Sequence, residues 1–173
     1  MKVILWMGMS LNGYIAGEDN NEDFISHDCW LAWLDGIRKH GCMVWGRKTH
    51  QIVKTWPKAY IEDIKGVKAV VISGDPNYKV SSDFELVNSP QAAIATLEKQ
   101  GFSSLVLTGG STLNSSFAKL GLIDEVIVNV EPVIVGKGIP LFKPDVFELK
   151  LELIEMRQSK GKTIQLHYKV VIH

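Results

Sequence analysis

Two stretches of this chain place glycine and hydroxyl-bearing residues directly after an apolar run, a pattern suited to holding phosphate. The fuller one is Val106-Leu-Thr-Gly-Gly-Ser-Thr-Leu-Asn-Ser-Ser-Phe117. It reads as a buried strand, a paired-glycine turn and the first turns of a helix. Such a junction aims unpaired backbone N–H groups and the positive helix end at one point. Thr108, Gly109, Gly110, Ser111, Thr112 and Leu113 are therefore candidate ligand-binding residues. The second stretch is Met43-Val-Trp-Gly-Arg-Lys-Thr49. Here Gly46 lets a phosphate approach the backbone, Thr49 offers a hydroxyl and an N–H, and Arg47 and Lys48 add charge. Ser73-Gly74 repeats the pattern in shortened form, with Ser73 able to touch a ribose phosphate. Each stretch also has a plain reading as a tight turn before a helix. Two anion sites in one small domain point to a ligand with more than one phosphate, and a dinucleotide is the first candidate.

Other chemistries find less support. There is no Walker A loop and no G-x-G-x-x-G, so a standard Rossmann site is not expected. No Gly-x-Ser-x-Gly elbow supports serine hydrolysis. The five histidines show no paired spacing for a metal. Asp28 is the one carboxylate at the start of a tryptophan-rich helix, and it is the candidate general acid; burial would have to raise its pKa. Its plain alternative is a solvated first-turn aspartate. Of the five tryptophans, Trp30, Trp33 and Trp56 flank the Gly46 junction. They read first as core, with one or two free to line a pocket for a flat molecule.

These residues need strands that end at one edge. Lys2 to Met9 reads as a strand and Asn12-Gly13 as a turn, with Tyr14 to Ala16 continuing as strand or loop. Ser26 caps a helix whose Trp30, Leu31, Trp33, Leu34 and Ile37 follow helical spacing, and Gly41 stops it. Cys42 to Trp45 is the strand before Gly46. Thr55 to Gly66 reads as irregular, Val67 to Ser73 and Phe84 to Val87 as strands. Ser89-Pro90 opens a further helix that Gly101 stops. Ser104 to Thr108 is the strand before the paired glycines, and the helix after them is expected to bury Leu113, Phe117 and Leu120. Ile123 to Val135 is apolar and β-branched, bent at Pro132. Leu149 to Arg157 and Thr163 to Ile172 alternate around Ser159-Lys-Gly-Lys162 and read as a hairpin. The expected fold class is α/β: a mainly parallel central sheet with flanking helices and an antiparallel C-terminal hairpin. Ligands of such sheets bind at the carboxyl ends of the parallel strands.

The bulk properties agree. The 173 residues suit one domain, 1–173, able to bury roughly two-thirds of its unfolded surface without disulfide or metal. With 19 basic and 19 acidic residues there is no excess of positive charge for a nucleic-acid partner. No apolar run approaches ~20 residues, so no membrane span is expected. Two cysteines without a CxxC pattern suit buried thiols in a cytoplasmic protein.

The motifs together resemble the dihydrofolate reductase-like fold family. Within it they resemble the reductase domain of the riboflavin-pathway bifunctional deaminase-reductase. The resemblance is carried by Met9-Ser-Leu-Asn-Gly-Tyr-Ile-Ala16, Trp45-Gly-Arg-Lys-Thr49, Val71-Ile-Ser73, Leu107-Thr-Gly-Gly-Ser-Thr-Leu113, Leu122-Ile-Asp-Glu125, Pro132-Val-Ile-Val-Gly-Lys-Gly138 and Leu141-Phe142, over nearly the whole chain. It implies an NADPH-dependent reductase, commonly a homodimer, acting on a small molecule. Gly46, Arg47 and Thr49 match the family's phosphate junction, and Arg47 and Ser73 match positions near the adenosine 2′-phosphate. Gly109 and Gly110 match the paired glycines under the pyrophosphate, and Ile15 and Ala16 match backbone that meets the nicotinamide. Asn12, Trp30, Leu34 and Trp56 are candidate substrate walls.

The chain also departs from the family. Folate enzymes carry an acid just before a Leu-Ala-Trp-like run, where this chain has Trp30 before Leu31-Ala-Trp33. Asp28 lies roughly 200° round the helix from that position. Asn12 stands where the riboflavin-type group has aspartate, and the zinc deaminase motif is missing. The expectation is reduction of a small heterocyclic or nucleotide-like substrate. The alternatives are a dihydrofolate reductase with a displaced acid and a non-catalytic NADPH-binding module.

Overall fold

The computed structural model describes residues 1–158 and 161–171. The chain runs β1 (Lys2–Ser10), β2 (Tyr14–Gly17), α1 (His27–His40), β3 (Cys42–Gly46), α2 (Arg47–Val53), α3 (Lys58–Asp63) and β4 (Lys68–Ile72). It continues through β5 (Phe84–Val87), α4 (Pro90–Lys99), β6 (Ser104–Leu107), α5 (Ser111–Lys119), β7 (Glu125–Glu131), β8 (Gly138–Pro140), β9 (Lys150–Gln158) and β10 (Ile164–Val171). The main sheet has the order β5-β4-β3-β6-β1-β7-β10-β9. Strands β5 through β7 pair in parallel, and β10 and β9 add two antiparallel pairings. The expected α/β class with its C-terminal hairpin is what forms. Of that hairpin, Ser159 and Lys160 in the turn and Ile172 and His173 at the end lie outside the described residues.

Alternation along the parallel strands explains the layering. Val3, Leu5, Cys42, Val44, Leu105 and Leu107 enter one core, with Ala93 and Leu97 of α4 and Leu113 and Phe117 of α5. Ile4, Trp6, Met43, Trp45 and Val106 enter the other, with Trp33, Leu34 and Ile37 of α1. Helices therefore cover both faces. Close packing of α1 depends on Gly36, whose missing side chain leaves room for the Trp6 ring. Its amino end is capped by Ser26, which accepts from Cys29 N at 3.2 Å. Ser26 in turn donates its hydroxyl to Glu131 at 2.6 Å and its N–H at 3.0 Å. Thr163 also donates to Glu131, so a carboxylate only 4% exposed has several donors. The helix start is thereby tied to the end of β7.

Three expectations need correction. Thr55 to Gly66 is not wholly irregular, because α3 forms within it. Leu120 is 47% exposed, since it falls at the C-cap of α5, where the apolar stripe has left the sheet. A small second sheet also forms: β2, within the stretch read as strand or loop, pairs with β8, which the sequence does not mark as strand.

Candidate active site

The sheet brings the carboxyl ends of β1, β3 and β6 side by side. Both glycine junctions leave from that edge, and they touch. Gly46 N donates to Gly109 O at 2.8 Å, and Thr108 N donates to Val44 O at 2.9 Å. A side chain on Gly110 would meet the Thr49 hydroxyl at 3.3 Å. The two glycine junctions, read separately in the sequence, form one continuous surface. Gly109 has a φ of +84°, a conformation that favours glycine, and its bond to Gly110 is cis.

Several donors at this surface lack partners. Neither Gly46 nor Gly110 supplies a side-chain cap to the helix it opens. The Ser111 hydroxyl is buried and has no hydrogen-bond partner among the described residues. Leu113 packs beneath in the core, while Thr112 faces solvent. Thr108 donates its hydroxyl to Val44 O at 3.2 Å and is committed to the sheet. Lys48 is exposed and Arg47 is half-exposed. One nitrogen of Arg47 pairs with Asp75 at 3.2 Å, and its guanidinium lies 5.9 Å from the Tyr78 ring centre. Ser73 is buried and accepts from Asp75 N at 3.1 Å, so it shapes the loop that holds that aspartate.

Beside this surface an inner cavity of about 90 Å³ is bounded by Ile15, Thr49, Thr108 and the indoles of Trp6, Trp30, Trp45 and Trp56. It adjoins an outer cleft of about 450 Å³, walled by Trp30, Trp56, Tyr60, His27 and the 20–23 loop. The aromatic wall is mutually packed. Trp30 sits 4.9 Å from Trp33, 5.4 Å from Trp56 and 4.8 Å from Tyr60 between ring centres. Trp30 also donates its indole N–H to Asp63 at 3.3 Å, which fixes the ring. Trp6 and Trp45 have buried indole N–H groups without partners among the described residues. Flat apolar walls with a few polar points suit a small heterocycle.

The remaining sequence candidates fall elsewhere. Leu34 is in the core beneath the wall, and Ala16 is buried with its carbonyl against Gly138. Asn12 accepts from Val135 N at 3.1 Å and donates to Val135 O at 2.8 Å, pinning the 132–137 loop. Asp28 lies against Gly161 of the C-terminal hairpin and lines neither cavity.

The carboxylate that does reach both cavities is Glu22. It is open to solvent yet set in a concavity surrounded by protein, and that desolvation pushes its carboxyl up to about 7. The sequence singles out Asp28 as the candidate acid and does not mark Glu22. Its only local signal is that it precedes the tryptophan-rich helix. Cys29, at the same inner wall, has its thiol pushed up to about 12 by burial first and Glu131 second.

The model of the RibD C-terminal domain matches residues 1–165. The chain belongs to that family. A relative from Bacillus subtilis (strain 168), the uncharacterized protein YwjB, is 32% identical over 177 residues, covering 96% of this chain and 97% of YwjB. A solved protein of Shewanella sp. PV-4, named for riboflavin biosynthesis, superposes with a TM-score of 0.79 at 24% identity, covering 99% of this chain and 100% of that one. The bifunctional diaminohydroxyphosphoribosylaminopyrimidine deaminase/5-amino-6-(5-phosphoribosylamino)uracil reductase of Thermotoga maritima superposes at 0.75 with 15% identity, over 98% of this chain and 56% of that one. The fold is thus that of the riboflavin-pathway, dihydrofolate reductase-like reductases, and the family is a reductase-domain family.

Proposed function

We propose that the whole chain acts as one NADPH-dependent reductase, delivering hydride to a C=N or C=O group of a small flat heterocycle. The observation that carries this reading is the contact between the two glycine junctions, which open together onto a tryptophan-walled cavity. Gly46, Thr49, Gly110 and Ser111 would hold the phosphates. The orphaned Ser111 hydroxyl fits that role, because a phosphate oxygen would satisfy it. Arg47, beside Ser73 and Asp75, would meet the 2′-phosphate. Ile15 would border the nicotinamide, which supplies the hydride when bound. The indoles of Trp30 and Trp56 would orient the substrate and exclude water.

The riboflavin setting is supported by the family and by the names of its structural neighbours. The outer cleft has Glu22 and Asp23 and, among the described residues, no lysine or arginine in its walls. That supports a substrate without a phosphate at this end, since a phosphate is ordinarily met by basic side chains. A homodimer is supported by β9, an edge strand exposing Leu151, Leu153 and Met156, which a second copy would cover. A cytoplasmic setting is supported by two free buried cysteines; among the described residues no helix is long and apolar enough to cross a membrane.

The test is loss of nicotinamide absorbance with three probes: 5-amino-6-(5-phosphoribosylamino)uracil, its dephosphorylated riboside and dihydrofolate. Hydride transfer to a uracil is expected, faster for the riboside. Tight NADPH binding with no transfer to any probe would favour the non-catalytic reading.

A further inference from the structure

We propose that Glu22 is the proton donor of the reduction, acting directly on the substrate from the loop between β2 and α1. The assignment rests on the reductase reading above. Its first ground is position. Among the walls, Glu22 is the one carboxylate shared by the outer cleft and the inner cavity. Asp23 reaches only the outer cleft. A molecule that reaches from the outer cleft into the inner cavity along the Trp30 and Trp56 wall therefore passes Glu22, which lines both.

The second ground is availability. Among the described residues the Glu22 carboxyl forms no ion pair and no side-chain hydrogen bond. Its neighbours in the loop are tied down. Asn21 N donates to Asp19 at 3.0 Å, and Asn21 donates its amide to Asp23 at 2.8 Å. Asp23 N donates to the Asn21 amide oxygen at 2.6 Å, and Ile25 N donates to Glu22 O at 2.8 Å. The backbone is held on both sides while one side chain is left free, as preorganised acid catalysis requires.

The third ground is protonation. Desolvation raises the Glu22 carboxyl to about 7, so a large share carries its proton at neutral pH. Other titratable groups on the two walls are Asp23, His27, Cys29 and Tyr60. Burial pushes the Cys29 thiol up to about 12, which makes it a poor donor.

The step balances as follows. The substrate carbon gains a C–H bond from the hydride. The π pair of its C=N or C=O bond moves to the heteroatom, which forms a new N–H or O–H bond with the Glu22 proton. The substrate is reduced and the nicotinamide oxidised. Glu22 is left as a carboxylate and regains a proton from water at the open cleft.

The experiment uses the full chain as wild type, Glu22→Gln and His27→Gln, with NADPH and the two uracil probes in single turnover across pH. Wild-type rates should fall about tenfold per unit above pH ~7, as the donor deprotonates. Glu22→Gln should be slower by roughly 100-fold or more and lack that limb, with NADPH affinity changed less than about twofold. His27→Gln should keep the limb. Transfer by Glu22→Gln at the wild-type rate, or loss of the limb in His27→Gln alone, overturns the assignment and leaves the reductase reading standing. Failure of wild type on both probes, despite NADPH binding, brings down both. A carboxyl-13C titration of the substrate-free chain gives an independent reading. A midpoint near 7 that vanishes in Glu22→Gln supports the assignment, and a midpoint near 4.5 overturns it.

Discussion

Arg47→Ala separates a 2′-phosphate contact from a general electrostatic one. A hydrogen bond to a charged group contributes about 1.5–3 kcal/mol. Two features of the structure reduce that figure. The Arg47 side chain is 40% exposed, and one of its nitrogens already pairs with Asp75, itself 38% exposed. Loosening an exposed pair of that kind costs about 0–1 kcal/mol. The net loss on removing Arg47 is then about 1–2 kcal/mol, or roughly 5- to 30-fold weaker NADPH. NADH has no 2′-phosphate and should change by about twofold at most. Asp75→Asn supplies the converse, because it removes the competing carboxylate and leaves the arginine. NADPH should tighten by roughly two- to fivefold, most visibly at low salt. Quenching of tryptophan fluorescence by each cofactor measures both constants, since five tryptophans, Trp33 among them, line the inner cavity next to the glycine junctions. Equal losses for NADPH and NADH in Arg47→Ala would refute the reasoning, and so would weaker NADPH binding in Asp75→Asn.

Two further outcomes test the scaffold and the acid. Gly36→Ala drives a methyl into the Trp6 ring, an overpacking that costs about 1–3 kcal/mol. A thermal melt should show Tm lower by roughly 2–4 °C per kcal/mol, and an unchanged Tm would mean that α1 does not pack as closely as described. The Glu22 carboxyl is raised above its ordinary 4.5, so the folded state holds its proton more strongly than the unfolded chain. Its contribution to stability is complete below about 4.5 and is lost as pH rises through about 7. The Tm advantage of Glu22→Gln over wild type should therefore grow from pH ~5 to pH ~8, and an advantage constant with pH would contradict the raised value.

The parts legible in the sequence are those written in consecutive residues. Ser26 and Gly41 mark α1 because a cap and a left-handed stop are local devices, and both act as expected. The paired glycines stand out because they directly follow an apolar strand. By contrast, α3 has no buried residue, so no stripe marks it, and Pro57 points to a break. Strand β8 is three residues long and exists through pairing with β2, a tertiary cause with no local signature. That the two glycine junctions touch depends on β6 inserting between β3 and β1.

The acid of the site shows the same limit in sharper form. A reader of the sequence looks for it on the helix, where Asp28 offers itself and Trp30 occupies the position a folate enzyme gives to its carboxylate. Glu18 to Glu22 is polar and loop-like, and nothing in the side chain of Glu22 separates it from the other acids there. What separates it is tertiary: with Trp30 of α1 and Trp56 of the segment after α2 it lines both the outer cleft and the inner cavity, and desolvation there raises its carboxyl. The indole and the acid are therefore physically linked. An aspartate at position 30 would put a second negative charge in the cleft, whose repulsion acts on the same protonation equilibrium, and would remove an indole from both walls. With tryptophan there, the helix supplies the wall and the loop supplies the proton. The tryptophan on the helix thus leaves Glu22 the one carboxylate that lines both cavities.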